Sequence, residues 1–214
     1  MAFAKVFSAQ PTLIRGRIIS VEVDLSRGLH SFTVVGLPDQ AVEESRDRVS
    51  AALKNTGFTP PKSKNEKITV SLAPADTKKE GPVFDVPIAL AYLTASEEIS
   101  FSPEEKIFIG ELSLDGFLRP IRGVLSIVQE AKREGFKEIF LPLENIVEAS
   151  LIEDIDIYGA QTLREIVDHL TKKKLILRTE RTPWSTKGNR KEPPVDLRDI
   201  RGQEEAKRGL LIAA

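Results

Sequence analysis

No cysteine occurs in the 214 residues. That absence excludes disulfides, a thiolate metal site and a cysteine nucleophile, and it suits a reducing cytosol. Histidine is nearly absent as well. His30 and His169 are the only two, with no ligand spacing to a partner, so a metal site is not expected. Long apolar runs are missing. The longest, "VPIALAYLTA" (Val86–Ala95), is far short of the ~20 residues that span a bilayer. The start "MAFAKVFSAQ" has no apolar signal core with a small-residue cleavage site. A cytoplasmic protein without a membrane partner is expected. The phosphate-binding pattern G-x-x-x-x-G-K-[ST] is also absent, so ATP hydrolysis is not expected of these residues.

No one sign of charge dominates the whole chain, whose net charge is −1, but the balance shifts along it. Residues 1–171 carry 19 basic and 26 acidic side chains, a net of −7. Residues 172–191 carry eight basic and one acidic, a net of +7. That block can neutralise phosphates, or it can be a solvated linker.

Apolar–polar alternation over Ile19, Val21, Val23 and Leu25 predicts a half-buried strand at 16–25. "SRGLHS" and the β-rich "SFTVVGL" (31–37) predict a hairpin with it. Residues 37–58 read as one helix, with Val42, Ser45, Val49, Ala52 and Leu53 on a common face and Gly57 beyond its end. A strand at 67–76 follows, then a buried helix at 84–98 with Pro87 in its first turn. Residues 106–121 read as a hairpin turning at "LDG". A helix over 122–136 and a strand at 137–142 come next. A short helix, a strand at 155–160 and a helix capped by Thr162 complete the pattern, as in βαβ units.

The expected organisation is an α/β domain over 1–173, a basic Pro- and Gly-containing linker over 174–194, and a new segment over 195–214. Asp199 can cap a helix from Gln203 onward, which would leave a second domain cut in its first helix. The mixed charges of "ESRDRV" (Glu44–Val49) read as a solvated helix face or a subunit contact.

"KKEGPVFDVPIA" (Lys78–Ala89) places a Gly-Pro turn just before a helix, where backbone N–H groups can stabilise an oxyanion. Position 83, where a nucleophilic serine would stand, is valine. This segment, with "GELSLDGFLRPIRGVLSIVQEAKREGF", resembles the proteolytic domain of Lon proteases. The resemblance puts the catalytic serine at Val83 and the catalytic lysine at Leu125. Both halves of the dyad are aliphatic, so peptide cleavage is not expected. Asp85 reads as a first-turn carboxylate, and Asp76 and Glu111 as turn and edge residues.

"VGLPD", "ESRDRV", "LAPAD", "FDVPIA" and the closing "GQEEAKRGLLIAA" together resemble the ComM/YifB family of magnesium-chelatase-like AAA+ ATPases. The implied fold is a Lon-protease-like, ribosomal-protein-S5-domain-2-like mixed sheet with packed helices, followed by the entry to an AAA+ module. The implied function is a non-catalytic accessory domain of a DNA-processing motor, serving ring assembly, DNA contact or both. In that family the magnesium-chelatase name reflects the ATPase module. ATP and Mg²⁺ are implied for the longer chain and no cofactor for this one. A homo-oligomer, hexameric in the parent chain, is implied, with DNA as a possible ligand. A chelatase-type ATPase subunit and a purely structural oligomerisation domain remain alternatives. Candidate nucleic-acid or partner contacts are Lys62, Lys64, Lys67, Lys78, Lys79, Arg119 and Arg122, which can form a basic rim, and Trp184, Arg190 and Lys191 in the linker.

Overall fold

The computed structural model of the chain describes residues 2–12, 15–180 and 196–213. Two compact units are present, Met1–Thr182 and Pro183–Ala214. Trp184, Arg190 and Lys191 lie outside the described residues.

The first unit runs β1 (Ala2–Thr12), β2 (Arg15–Arg27), β3 (Ser31–Val35), α1 (Gln40–Glu43), α2 (Ser45–Asn55), β4 (Glu66–Ala73) and α3 (Asp85–Ala95). It continues through β5 (Lys106–Phe108), β6 (Glu111–Leu112), β7 (Leu118–Arg119), α4 (Val124–Arg133), β8 (Glu138–Pro142), α5 (Ile146–Ala149), β9 (Asp156–Ala160) and α6 (Leu163–Leu170). Seven strands form one mixed sheet in the order β3-β4-β2-β1-β5-β8-β9, and β6 and β7 form a separate hairpin. This is the α/β fold with a mixed sheet and packed helices that the sequence leads one to expect.

The N-terminal half of the sheet differs from the expected hairpin. β2 pairs antiparallel with β1 from Leu25 to Arg15 and, on its other side, with β4. β3 does not pair with β2. It lies parallel to β4 at the sheet edge, from Ser31↔Lys67 to Val35↔Ser71. β1 escapes a periodicity reading because Ser8 and Gln10 occupy its buried face. The C-terminal half is parallel: β5 pairs with β8 and β8 with β9. The strand expected to open a long hairpin at 106 therefore joins the main sheet, and only β6 and β7 form the hairpin.

The predicted helix over 37–58 is broken at Glu44, which ends α1. Asp39 caps α1, its Oδ1 accepting from the Val42 N–H at 2.8 Å. Thr162 caps α6 as expected, accepting from the Glu165 N–H at 3.2 Å. α3 is buried on nearly every side, from Asp85 to Leu93 and at Ala95. α4 crosses β2 at Gly16, where a Cβ would stand 2.7 Å from the Ser126 carbonyl oxygen. The core is one continuous cluster drawn from the sheet and these helices.

The first unit extends beyond the expected boundary at 173. The Thr179 N–H donates to the Ile157 carbonyl at 2.9 Å, and the Ile176 N–H to His169 Nδ1 at 2.9 Å. These bonds strap residues 174–180 along the outer side of β9.

In the second unit α7 (Glu204–Ala213) follows a short turn. Asp199 does not cap it. Its carboxylate accepts from the Asp196 N–H at 2.9 Å within the turn Leu197–Asp199. Leu210, Leu211 and Ile212 of α7 are exposed.

Candidate functional site

The Gly-Pro turn is held from three directions. Gly81 has φ +79°, a conformation that favours glycine, and its N–H donates to Asp39 Oδ2 at 3.0 Å. Gln10 reaches across from β1. Its Nε2 donates to the Lys78 carbonyl at 2.8 Å, and its Oε1 accepts from the Glu80 N–H at 3.2 Å. The Gly110 N–H donates to the Val83 carbonyl at 3.0 Å, and the Val86 N–H to the Gly110 carbonyl at 3.2 Å. Thus the buried glutamine of β1, the cap of α1 and the loop before β6 fix a single turn conformation.

Below the turn a buried ion pair ties four elements together, α1, α2, α3 and β6. Arg48 Nε donates to Asp85 Oδ2 at 2.7 Å and Nη2 to Asp85 Oδ1 at 3.0 Å, a bidentate geometry. Arg48 Nη2 also donates to the Ala41 carbonyl at 2.8 Å and to Ser45 Oγ at 3.2 Å. The Leu112 N–H donates to Asp85 Oδ2 at 3.0 Å. Complete burial pushes the Asp85 carboxyl up, and the Arg48 guanidinium pulls it back. Hydrogen bonding to Asp85 holds Arg48 above its ordinary value. Arg48 is therefore not part of a solvated face. Asp85 does occupy the first turn of α3, but its partners are a guanidinium from α2 and the backbone of β6.

Beside the turn lies a cleft of about 310 Å³. Pro11, Gly81, Pro82, Val83, Pro120 and Ile121 give it apolar walls, and Glu80, Glu111 and Arg122 supply its charges. Val83 is buried there. Leu125 is not among the lining residues. Its side chain is exposed, and its N–H donates to Glu148 Oε1 at 2.9 Å. The two aliphatic residues at the dyad positions therefore do not share one pocket. No lining residue carries a hydroxyl, an amine or an imidazole, so the cleft holds no serine–lysine dyad; its carboxylates are Glu80 and Glu111.

The expected basic rim is only partly assembled. Lys79 is fully buried and its Nζ donates to the Pro74 carbonyl, so it cannot meet a polyanion. Burial lowers its pKa. Lys78 pairs with Glu80 at 3.0 Å, and Arg119 with Glu111 at 3.2 Å. Arg122 is exposed at the cleft with no ion pair among the described residues. Lys62 is elsewhere, 3.6 Å from Asp47, beside a cleft shared with His30 and Phe32. Lys67 is exposed at the start of β4 near Gly28, and Lys64 is half-buried in the preceding turn. Asp76 and Glu111 have separate partners, Arg17 and Arg119, and do not form a carboxylate pair. Among the described residues no group of acidic and histidine side chains could hold a metal ion.

A family match covers residues 21–145, which carry the Gly-Pro turn, α3 and the β6–β7 hairpin; the family is described as subunit ChlI of Mg-chelatase. The chain belongs to this family. Competence protein ComM of Haemophilus influenzae is 41% identical over all of this chain and 42% of its own length. YifB of Salmonella typhimurium is 39% identical over all of this chain and 41% of its own length. These relatives place the chain in the ComM/YifB group of Mg-chelatase-like proteins. The chain thus spans about two fifths of the length of these relatives. The peroxisomal Lon protease homolog 2 of Caenorhabditis elegans is 27% identical over 80% of this chain. The ChlI match falls on the first unit and not on 195–214.

Proposed function

We propose that this chain is the non-catalytic Lon-like region of a DNA-processing AAA+ ATPase, serving ring assembly, DNA contact or both. The observation that carries the reading is the cleft at Gly81–Val83: its supporting bonds are kept, while a buried valine stands at the nucleophile position. A scaffold kept without its chemistry fits a role in presenting a surface. ATP and Mg²⁺ belong in this reading to the full length of proteins like ComM and YifB, of which this chain spans about two fifths. A cytoplasmic homo-oligomer, hexameric in its full-length form, completes the proposal.

Two assays test it. Casein incubated with the purified chain stays intact; cleavage would overturn the non-catalytic assignment. Sedimentation velocity and fluorescence anisotropy with labelled single- and double-stranded DNA, at low and moderate salt, then separate assembly from DNA contact. A chain that stays monomeric at all concentrations and binds neither DNA refutes both roles.

A second reading follows from the description of the matching family. As a chelatase-type subunit, the chain would act with a partner protein on a metal or cofactor. Metal-dependent binding to such a partner, with no affinity for DNA, would favour it.

A further inference from the structure

A second cleft, away from the Gly-Pro turn, opens over the C-terminal half of the sheet and has a volume of about 770 Å³. That lies within the range of small-ligand sites, roughly 300–1,000 Å³. Behind it runs an aromatic row set by strand register. Phe108, Phe140 and Tyr158 are direct partners across β5, β8 and β9; Phe108 and Phe140 are fully buried, and Tyr158 alone of the three lines the cleft. Their rings stack in series, with centroids 5.1 Å and 4.9 Å apart and planes within 20°. Phe101 closes one end edge-on against Phe108 at 5.7 Å. His169 descends from α6 to 4.7 Å from Tyr158. Phe101, Tyr158 and His169 line the cleft, and each is half-buried.

Cations stand around these rings. Lys106, Lys172 and Arg178 line the same cleft. Lys106 is 3.3 Å from Glu138, and Arg178 is 3.0 Å from Asp156. Lys172 has no ion pair among the described residues and is exposed. One wall is the strap at 175–178, which belongs to the block of net charge +7 over residues 172–191. The aromatic row thus meets the chain where its charge changes sign.

We propose that this cleft binds single-stranded nucleic acid, with unpaired bases against Tyr158, His169 and Phe101 and the sugar–phosphate backbone led along Lys172 and Arg178. The inference rests on the DNA-contact reading above and gives it a location. Aromatic faces accept any base, so the expected binding is tolerant of sequence. In a duplex those faces are already stacked, so it is expected to bind more weakly. The site differs from the Lys62, Lys64 and Lys67 surface, and from the Gly81 cleft.

The test is an anisotropy titration of the 214-residue chain with a fluorescein-labelled oligothymidylate of about 12 nucleotides, across a salt series. Tyr158→Leu is expected to weaken binding roughly tenfold. Lys172→Gln is expected to lower the salt slope by roughly 0.7. Lys54→Gln, an exposed lysine outside the cleft, leaves both unchanged. Because Tyr158→Leu removes a stacked ring, a second measurement uses the unaltered chain. Photo-crosslinking to an iodouracil-containing strand is expected to label Phe101, Tyr158 or His169, read by peptide mass. Wild-type chain that binds no oligonucleotide at low salt refutes DNA contact altogether. Binding that survives Tyr158→Leu, with crosslinks outside the cleft, refutes this location alone. Competition by polyglutamate as strong as by oligonucleotide refutes the stacking role and points to an acidic peptide.

Discussion

Arg48→Met isolates the contribution of the buried ion pair. The substitution keeps most of the side-chain length and removes the guanidinium. Asp85, fully buried, then keeps the Leu112 N–H and the Ser45 hydroxyl but loses both guanidinium bonds, and the Ala41 carbonyl loses its side-chain donor. Breaking a buried pair by removing one partner costs ~3–5 kcal/mol. For a chain of this size ~1 kcal/mol moves the melting temperature by ~2–4 °C, so a fall of about 6–20 °C is expected. The sign of the pH dependence is fixed. Burial already raises the Asp85 carboxyl, and loss of Arg48 removes its main opposing influence. A carboxyl raised in the folded state binds more protons there than in the unfolded chain, so its destabilising effect grows as pH rises past ~4. The deficit should therefore be largest at neutral pH and shrink towards acid. Urea unfolding at two pH values, followed by circular dichroism, measures it. A cycle with Asp85→Leu should give a coupling energy of at least ~1 kcal/mol, since the two side chains touch. A deficit under ~1 kcal/mol, or one independent of pH, would refute the reasoning.

Gly36→Ala is expected to cost ~2–4 kcal/mol in the same unfolding assay, because φ at Gly36 is +106° and a Cβ would meet the Leu72 carbonyl oxygen at 2.1 Å; a loss below ~1 kcal/mol would show that the β3 exit relaxes freely. Burial lowers the pKa of His169, so its imidazole should titrate below ~6.5 by NMR, with its contribution to stability lost as pH falls below that value; a midpoint at or above it would contradict the packing against Tyr158 and Phe140.

Much of the parallel half was legible because its strands are short apolar runs between amphipathic helices. Thr162 and Gly135 mark element ends by their own chemistry, as an N-cap and as a residue with φ +86°. The antiparallel half was harder to read. β1 hides a polar buried face, and Gln10 is buried because its amide satisfies two backbone groups of the Gly-Pro loop. The pairing of β3 with β4 depends on contacts distant in sequence, which local alternation cannot encode. At the site, the Gly-Pro turn and its valine could be read directly. The Arg48 partnership left one trace. Ser45, Arg48 and Ala52 recur on one side of α2, so a charge sits on the inward stripe. The aromatic row behind the second cleft could not be found from spacing, because Phe108, Phe140 and Tyr158 align only once the strand register is known.

The middle of the sheet carries one more consequence. β1 is laced to β2 along its whole length, yet it meets β5 at a single ladder position, Phe7↔Ile107. Mechanically, the sheet is two plates riveted side by side rather than one woven fabric. α3 and α4, which lie against β1 and β2, are the rivets on one plate. Shear along that seam would part the plates before either one frayed.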